Sequence, residues 1–175
     1  MTPLVSNLWP QFMVDPAFAA CFGQVIVEHA QMLRQERQVI FTLRSGAPLD
    51  KNLCARLLAS LQPDYEGFEL RIQNLFGYAM LDEAALRDLM EEMKRDGVPI
   101  NGFLDRCKIN IIGQKITIGV CHGTKFLQEM HFEKLLAERI AAHTGVTPQV
   151  TLQSAVSEAE QHQMEEKMKM YLILC

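Results

Sequence analysis

One order of segments occurs twice in this chain, and that repetition limits the folds it can adopt. KINIIGQKITIGV, residues 108–120, contains two short apolar runs that meet at Gly113. VIVEHAQMLRQERQVIFTL, residues 25–43, likewise contains two β-prone runs, joined by a polar bend at Gln35 and Glu36. A helix-patterned segment and one more strand-like run follow each pair, and alternating apolar residues are typical of half-buried strands. The sequence therefore predicts an α+β fold of two β-β-α-β modules, with helices covering one face of each sheet.

Helix signals and a change in composition along the chain predict where each domain begins and ends. Asp50 is the predicted N-cap of a leucine-striped helix in the first module, and FELRIQNLF is its last strand. In the second module, one long helix over residues 125–143 leads to the strand PQVTLQ. From residue 154 onward the chain is polar and helix-prone, as in a solvated connecting helix. We expect a first domain over 1–78, a second over 79–153, and a charged C-terminal helix, cut short, over 154–175.

The composition indicates a packed protein with free thiols. The chain has 175 residues, of which 49% are hydrophobic and 22% charged, close to the globular average. The five cysteines form no C-x-x-C pair, which disfavours a disulfide framework or a zinc knuckle. The N-terminus does not have the pattern of a signal peptide, and no stretch approaches the roughly 18 apolar residues of a membrane span. We expect a soluble, cytoplasmic protein that does not enter a membrane.

The charge of the chain bears on the class of its ligand. The formal net charge is −4, whereas a protein that mainly grips phosphate backbones is usually basic. Arg34, Arg37, Arg44 and Arg71 could nevertheless line one face of the first module. That arrangement keeps open a second hypothesis, a single-stranded nucleic-acid-binding module that guides template or primer. Base stacking would need aromatic side chains, which make up only 7% of the chain.

No constellation of residues predicts catalysis. Cys107, Cys121 and His122 have no fourth ligand at the spacing of a metal site, and the sequence has neither a Walker loop nor G-x-G-x-x-G. Gly119 and Gly123 bracket a segment that could bind an anion before a helix, but a strand-to-helix turn is favoured. A standalone hydrolase or transferase is therefore disfavoured. We predict no catalytic residue, no metal ligand and no cofactor.

The order of segments and several local phrases resemble the N-terminal region of PolC, the Gram-positive-type α subunit of DNA polymerase III. The phrases are FAACFG, QVIFTLRSGAPLD and FELRIQ in the first half, and INGFLDR, INIIGQKITIGV and PQVTL in the second. In that family two small domains, both described as KH-like, precede a charged helical linker and then a DNA polymerase with a 3′–5′ exonuclease. The resemblance thus implies a non-catalytic piece of a longer replicative enzyme.

The resemblance also implies a protein partner. The first domain of the family binds the tau subunit of the clamp loader and so tethers the polymerase within the replisome; other replisome proteins are further candidates. KH modules that hold nucleic acid use a G-x-x-G loop, which this sequence lacks. Leu8, Trp9 and Phe12 are large apolar side chains outside the modules, and they are the candidate partner-binding residues. The alternative is that this arm packs against the first sheet.

Overall fold

Two three-stranded sheets organise the chain, and the predicted α+β class is confirmed. The computed structural model describes residues 2–100, 102–155 and 158–174. It divides into a first unit, Met1–Leu81 with Ala142–Val146, and a second unit, Asp82–Ala141 with Thr147–Cys175.

The strands are β1 (Ile26–Leu33), β2 (Gln38–Arg44), β3 (Glu69–Leu75), β4 (Lys108–Ile112), β5 (Lys115–Val120) and β6 (Gln149–Ser154). The α-helices are α1 (Val5–Leu8), α2 (Pro16–Phe22), α3 (Lys51–Leu61), α4 (Glu83–Arg95), α5 (Thr124–Glu129), α6 (Phe132–Thr144) and α7 (Glu158–Leu174). Short 3-10 helices lie at Pro10–Val14, Gln62–Tyr65 and Tyr78–Met80.

Both sheets have the same topology. In the first sheet β1 is antiparallel to β2, and β2 is parallel to β3. In the second sheet β4 is antiparallel to β5, and β5 is parallel to β6. A parallel pair needs a long crossover, which α3 provides in the first sheet and α5 with α6 in the second. The predicted β-β-α-β order is therefore present in each unit.

The first core lies on one face of the first sheet. Val39, Phe41 and Leu43 alternate along β2 and are buried. They belong to the same apolar cluster as Leu57 and Leu61, which are one turn apart on α3. Each side chain of this size contributes about 1.5–3 kcal/mol when it is fully buried. The alternation in the sequence thus predicts the buried face of β2 correctly.

The second core follows the sequence pattern with one correction. Ile116 and Ile118 of β5 are fully buried, as are Phe132, Leu136 and Ile140, which lie about one turn apart on α6. The single long helix expected over residues 125–143 is wrong, because the chain forms α5 and α6 with a break between them. His131 lies at the break with a φ of 57°, in the left-handed region that a continuous helix does not allow.

An N-terminal arm, residues 2–14, pairs with the edge of the first sheet through a single isolated bridge. The N–H of Val27 donates to the carbonyl of Pro3 at 2.8 Å, and the N–H of Val5 donates to the carbonyl of Val25 at 2.9 Å. Leu4 forms an antiparallel bridge with Ile26. The arm therefore pairs with the beginning of β1 before it turns into α1.

Asp15 connects the start of α2 to α3. One oxygen of its carboxylate accepts a hydrogen bond from the N–H of Ala17 at 2.9 Å, and the other accepts one from Arg56 at 3.0 Å. The Arg56 guanidinium carbon also lies 4.7 Å from the centroid of the Phe18 ring. The N–H of Ala17, followed by the bond from Arg56, holds the pKa of Asp15 below its ordinary value of 3.8.

The lowered pKa of Asp15 predicts a loss of stability in acid. A carboxylate whose pKa is depressed by folding stabilises the folded state above its unfolded pKa, and this contribution disappears as the pH falls through the folded pKa. Below pH 3.8 we expect the stability difference between the wild type and Asp15→Asn to shrink. Arg56→Gln, which keeps the cap and removes the ion pair, should give an intermediate profile. Urea unfolding from about pH 6 to pH 2 measures this, and coincident profiles for wild type and Asp15→Asn would contradict it.

Candidate functional site

Two of the three predicted partner-binding residues pack inward. The ring of Trp9 meets Phe41 edge-on, with centroids 5.5 Å apart and planes at 88°. Phe12 lies against Phe18 with centroids 6.1 Å apart. Leu8, in contrast, is 47% exposed. The arm is thus part of the first unit's packing, and only Leu8 of the three presents much of its side chain to a partner. The partner-binding role of these residues stays a prediction.

The four candidate arginines do not form a basic groove in the part of the chain that the structure describes. Arg44 and Arg71 lie on the face of the first sheet opposite the core, and each pairs with a glutamate. Arg44 donates to Glu28, and Arg71 donates to Glu69 at 3.2 Å. Arg34 and Arg37 are exposed in the turn between β1 and β2. The two glutamates offset the positive charge that nucleic-acid binding would need on this face.

The second sheet has an open polar face that sequence reasoning missed. Strand pairing places its side chains in three rows: Lys108, Gly119 and Gln153; Asn110, Thr117 and Thr151; Ile112, Lys115 and Gln149. Apart from Thr117 and Gly119, which are half-buried, these residues are exposed. The rows are about 7 Å apart and the strands about 4.8 Å apart. The face carries two lysines and no carboxylate. The sequence signal that could have revealed this face is every second residue of KINII and KITIGV, beginning with the lysine of each.

Cys107 and Cys121 lie in different surroundings. Cys107 is buried, and Arg87 donates to its carbonyl oxygen at 2.8 Å and to its Sγ at 3.7 Å. Burial raises the pKa of the Cys107 thiol, and the charge of Arg87 opposes that effect in part. Cys121 is exposed. Among the described residues, no three His, Cys, Asp or Glu side chains are grouped so that they could hold a metal ion.

The cysteines should differ strongly in their reaction with an alkylating reagent. Burial is the main cause that raises the pKa of Cys54 to about 12, and burial also raises the pKa of Cys21. Because the thiolate is the nucleophile, we expect iodoacetamide to label exposed Cys121 at least about tenfold faster than Cys54. Peptide mass spectrometry over a time course measures the rates, and the unfolded chain serves as the control in which the difference disappears. Equal labelling rates of Cys54 and Cys121 in the folded protein would contradict the burial of Cys54 and the exposure of Cys121.

The segment between Gly119 and Gly123 is a strand-to-helix turn. β5 ends at Val120, and Gly123 precedes the six-residue helix α5 with a φ of 81°. The ring of Phe103 contacts both His122 and Phe126, with centroids 5.5 Å apart in each pair. A Cβ at position 123 would lie 2.4 Å from the Phe103 ring. Glycine is therefore required here both for its backbone conformation and for the space that Phe103 occupies.

Helix α7 ends in a run of exposed apolar side chains. Met168, Met170, Tyr171, Leu172 and Ile173 are between 62% and 82% exposed. The remainder of the expected C-terminal segment, at positions 156, 157 and 175, lies outside the described residues. In the described part of the chain, no helix combines the length and the apolar character that crossing a membrane requires.

Three comparisons with known proteins found nothing similar to this chain. A scan against models of protein families, a search of curated proteins and a search of solved structures each returned no match. The resemblance to PolC therefore rests on the order of segments and the phrases quoted above.

Proposed function

We propose that this chain is the non-catalytic N-terminal region of a PolC-type DNA polymerase III, and that it tethers the polymerase to the tau subunit of the clamp loader in the cytoplasm. The observation that carries the proposal is the order β-β-α-β, which occurs once in each unit. The resemblance requires this repeated order in two successive small domains. The comparisons add no support, so the proposal stands on that architecture and on the surfaces of the two units.

We also propose that both units are KH-like. In support, each has an antiparallel strand pair, a helical crossover and a third strand parallel to the second. KH modules that hold nucleic acid do so through a G-x-x-G loop between helices. No two glycines in this sequence have that spacing. A module without this loop favours a protein ligand.

The first unit is the proposed tau contact, because apolar side chains remain exposed on it. Leu8 and Met32 are each 47% exposed, and Val14 is 84% exposed. The open face of the second sheet carries mostly lysine, asparagine, threonine and glutamine, with the exposed apolar side chain of Ile112 at one end. The second unit also exposes apolar side chains, at Ile112 and at the end of α7. The choice of the first unit therefore follows the resemblance, which puts the tau contact in the first domain, and its exposed apolar side chains could serve as anchors.

Calorimetric titration of the full chain with the C-terminal region of tau from the same organism tests the proposal. We expect saturable heat at one tau per chain, and weaker binding by Leu8→Glu, which places a charge on the exposed arm. The double variant Lys108→Gln/Lys115→Gln changes only the open face of the second sheet and should bind as the wild type does. Absence of heat at about 100 µM of each protein, where a useful tether should be occupied, would contradict the proposal.

The second candidate function is binding of single-stranded nucleic acid. The open face of the second sheet favours it, because that face carries Lys108 and Lys115 and no carboxylate. Lys108 and Lys115 could each neutralise a phosphate, while the neighbouring amides and hydroxyls donate hydrogen bonds. This candidate predicts that a labelled oligothymidine binds at about 50 mM salt and that its affinity falls as salt rises. Lys108→Gln/Lys115→Gln should then reduce both the affinity and the salt slope. A flat anisotropy titration at low salt would remove this candidate.

A further inference from the structure

The second unit presents aromatic rings to solvent at one end of its sheet. The ring of Phe103 is half-buried and contacts His122 and Phe126, and both of these side chains are exposed. All nine phenylalanines lie in the described part of the chain, and Phe126, at 41%, is the only one of them that is exposed. Phe103, His122 and Phe126 are called the ring cluster below.

The rings of the cluster are inclined to one another rather than stacked. The plane of His122 makes an angle of 75° with that of Phe103, and the plane of Phe126 makes an angle of 52° with it. Neither exposed ring is therefore covered face to face by Phe103. Phe103 itself fills the space beside Gly123, where a Cβ would lie 2.4 Å from its ring. Packing thus holds the third ring in place, and a flat ligand can stack on the exposed rings.

The ring cluster lies at the same end of the second sheet as Lys108. Lys108 pairs with Gly119, and His122 follows Gly119 by three residues. The Cα atoms of Gly119 and His122 are therefore at most about 11 Å apart. Arg106 precedes Lys108 by two residues, and its carbonyl oxygen lies 4.0 Å from the Sγ of Cys121. The cluster and the first row of the open polar face are consequently neighbours.

The segments around the cluster are basic, although the chain as a whole is acidic. Residues 102–125 contain four lysines or arginines and one acidic residue, Asp105, whereas residues 149–154 contain no charged residue. These segments thus have a formal charge of +3, against −4 for the chain. Lys125 lies 4.0 Å from Glu129. The other three basic side chains are exposed and form no ion pair with any described residue: Arg106, Lys108 and Lys115. A polyanion therefore meets a locally positive surface here.

We propose that the ring cluster stacks a base of single-stranded nucleic acid, while Arg106 and Lys108 contact the phosphates next to that base. Aromatic rings beside unpaired cations are the combination with which proteins hold single strands. An acidic peptide uses the cations alone, whereas a nucleotide uses the rings and the cations together. The inference rests on the second candidate function, and it supplies the aromatic side chains that the open face of the second sheet lacks.

Anisotropy titration of the full chain with a labelled oligothymidine of about twelve nucleotides tests the ring cluster. We expect Phe126→Ala to weaken binding at about 50 mM salt by at least about fivefold and to leave the salt slope unchanged, because stacking releases no counterions. Lys108→Gln/Lys115→Gln should reduce the slope instead. Ile112→Ala is the matched control, since its side chain is 68% exposed at the opposite end of the same sheet. It should change binding by less than about twofold.

Two further probes separate stacking from a loss of folding. Phe126→Trp keeps a ring that can stack, so it should retain binding, and oligothymidine should quench its fluorescence beyond the signal of Trp9, the single tryptophan of the chain. An abasic strand of the same length should bind more weakly than oligothymidine to the wild type and equally to the wild type and Phe126→Ala. Circular dichroism and urea midpoints identify any variant that fails to fold.

The outcomes distinguish failure of the ring cluster from failure of the second candidate function. Oligothymidine binding that Phe126→Ala leaves unchanged, or equal affinity for the abasic strand, would overturn the cluster and leave that function intact. No binding of oligothymidine or oligouridine at low salt would remove both. Polyglutamate that binds the wild type and loses as much affinity in Phe126→Ala as oligothymidine does would overturn nucleic acid as the occupant. Tau binding should be the same for the wild type and Phe126→Ala.

Discussion

Replacing Trp9 with alanine should lower the free energy of unfolding of the first unit by about 3 kcal/mol. Truncation of a packed tryptophan or phenylalanine typically costs 3–5 kcal/mol, and Trp9 falls at the low end because it is half-buried. Its edge-on contact with Phe41 adds to the area that it buries. Chemical denaturation monitored by far-UV circular dichroism measures the loss.

Leu8→Ala is the matched control for Trp9→Ala. Leu8 is the neighbouring residue of the arm and is half exposed, so we expect its truncation to cost less than about 1 kcal/mol. A large loss for Trp9→Ala with a small one for Leu8→Ala establishes that Trp9 anchors the arm to the sheet. Equal, small losses for both would mean that the arm does not contribute to the first core. Any effect of Trp9→Ala on partner binding must then be read together with its effect on stability.

Gly123→Ala should destabilise the second unit by about 3 kcal/mol. The left-handed backbone at this position costs a non-glycine residue about 1–2 kcal/mol. The new Cβ would also lie 2.4 Å from Phe103, and displacing the ring adds an overpacking penalty of about 1–3 kcal/mol. Thermal and urea unfolding of the purified variant measure the combined effect.

Gly113→Ala separates the cost of the left-handed backbone from the cost of the collision with Phe103. Gly113 lies in the turn of the same unit between β4 and β5 with a φ of 56°, and a Cβ there meets no atom within 4 Å. We expect only the backbone cost, about 1 kcal/mol. Phe103→Ala combined with Gly123→Ala should cost less than the sum of the two single changes, because the collision is gone. Additive losses, or equal losses at positions 113 and 123, would contradict the steric argument.

The sequence predicted the elements that local periodicity determines. Period-two alternation identified β2, and the predicted cap Asp50 identified the start of α3, where its side chain accepts backbone hydrogen bonds as the N-cap. These signals act within one or two turns of chain and do not need a tertiary partner. The break at His131 escaped prediction because a histidine with positive φ has no strong signal in sequence.

Features that depend on pairing between distant segments could not be predicted. The neutralisation of Arg44 and Arg71 depends on which glutamates lie beside them. That arrangement is set by the strand register and by the irregularity near Glu28. The inward packing of Trp9 similarly requires knowing where the arm crosses the sheet.

Hydrogen exchange of the full chain with and without the C-terminal region of tau tests the central claim most directly. Slowed exchange within the first unit, with the open face of the second sheet unchanged, is the result that a tether docking on the first unit predicts. Unchanged exchange throughout the chain at saturating tau, or protection confined to β4 and β5, would contradict the account.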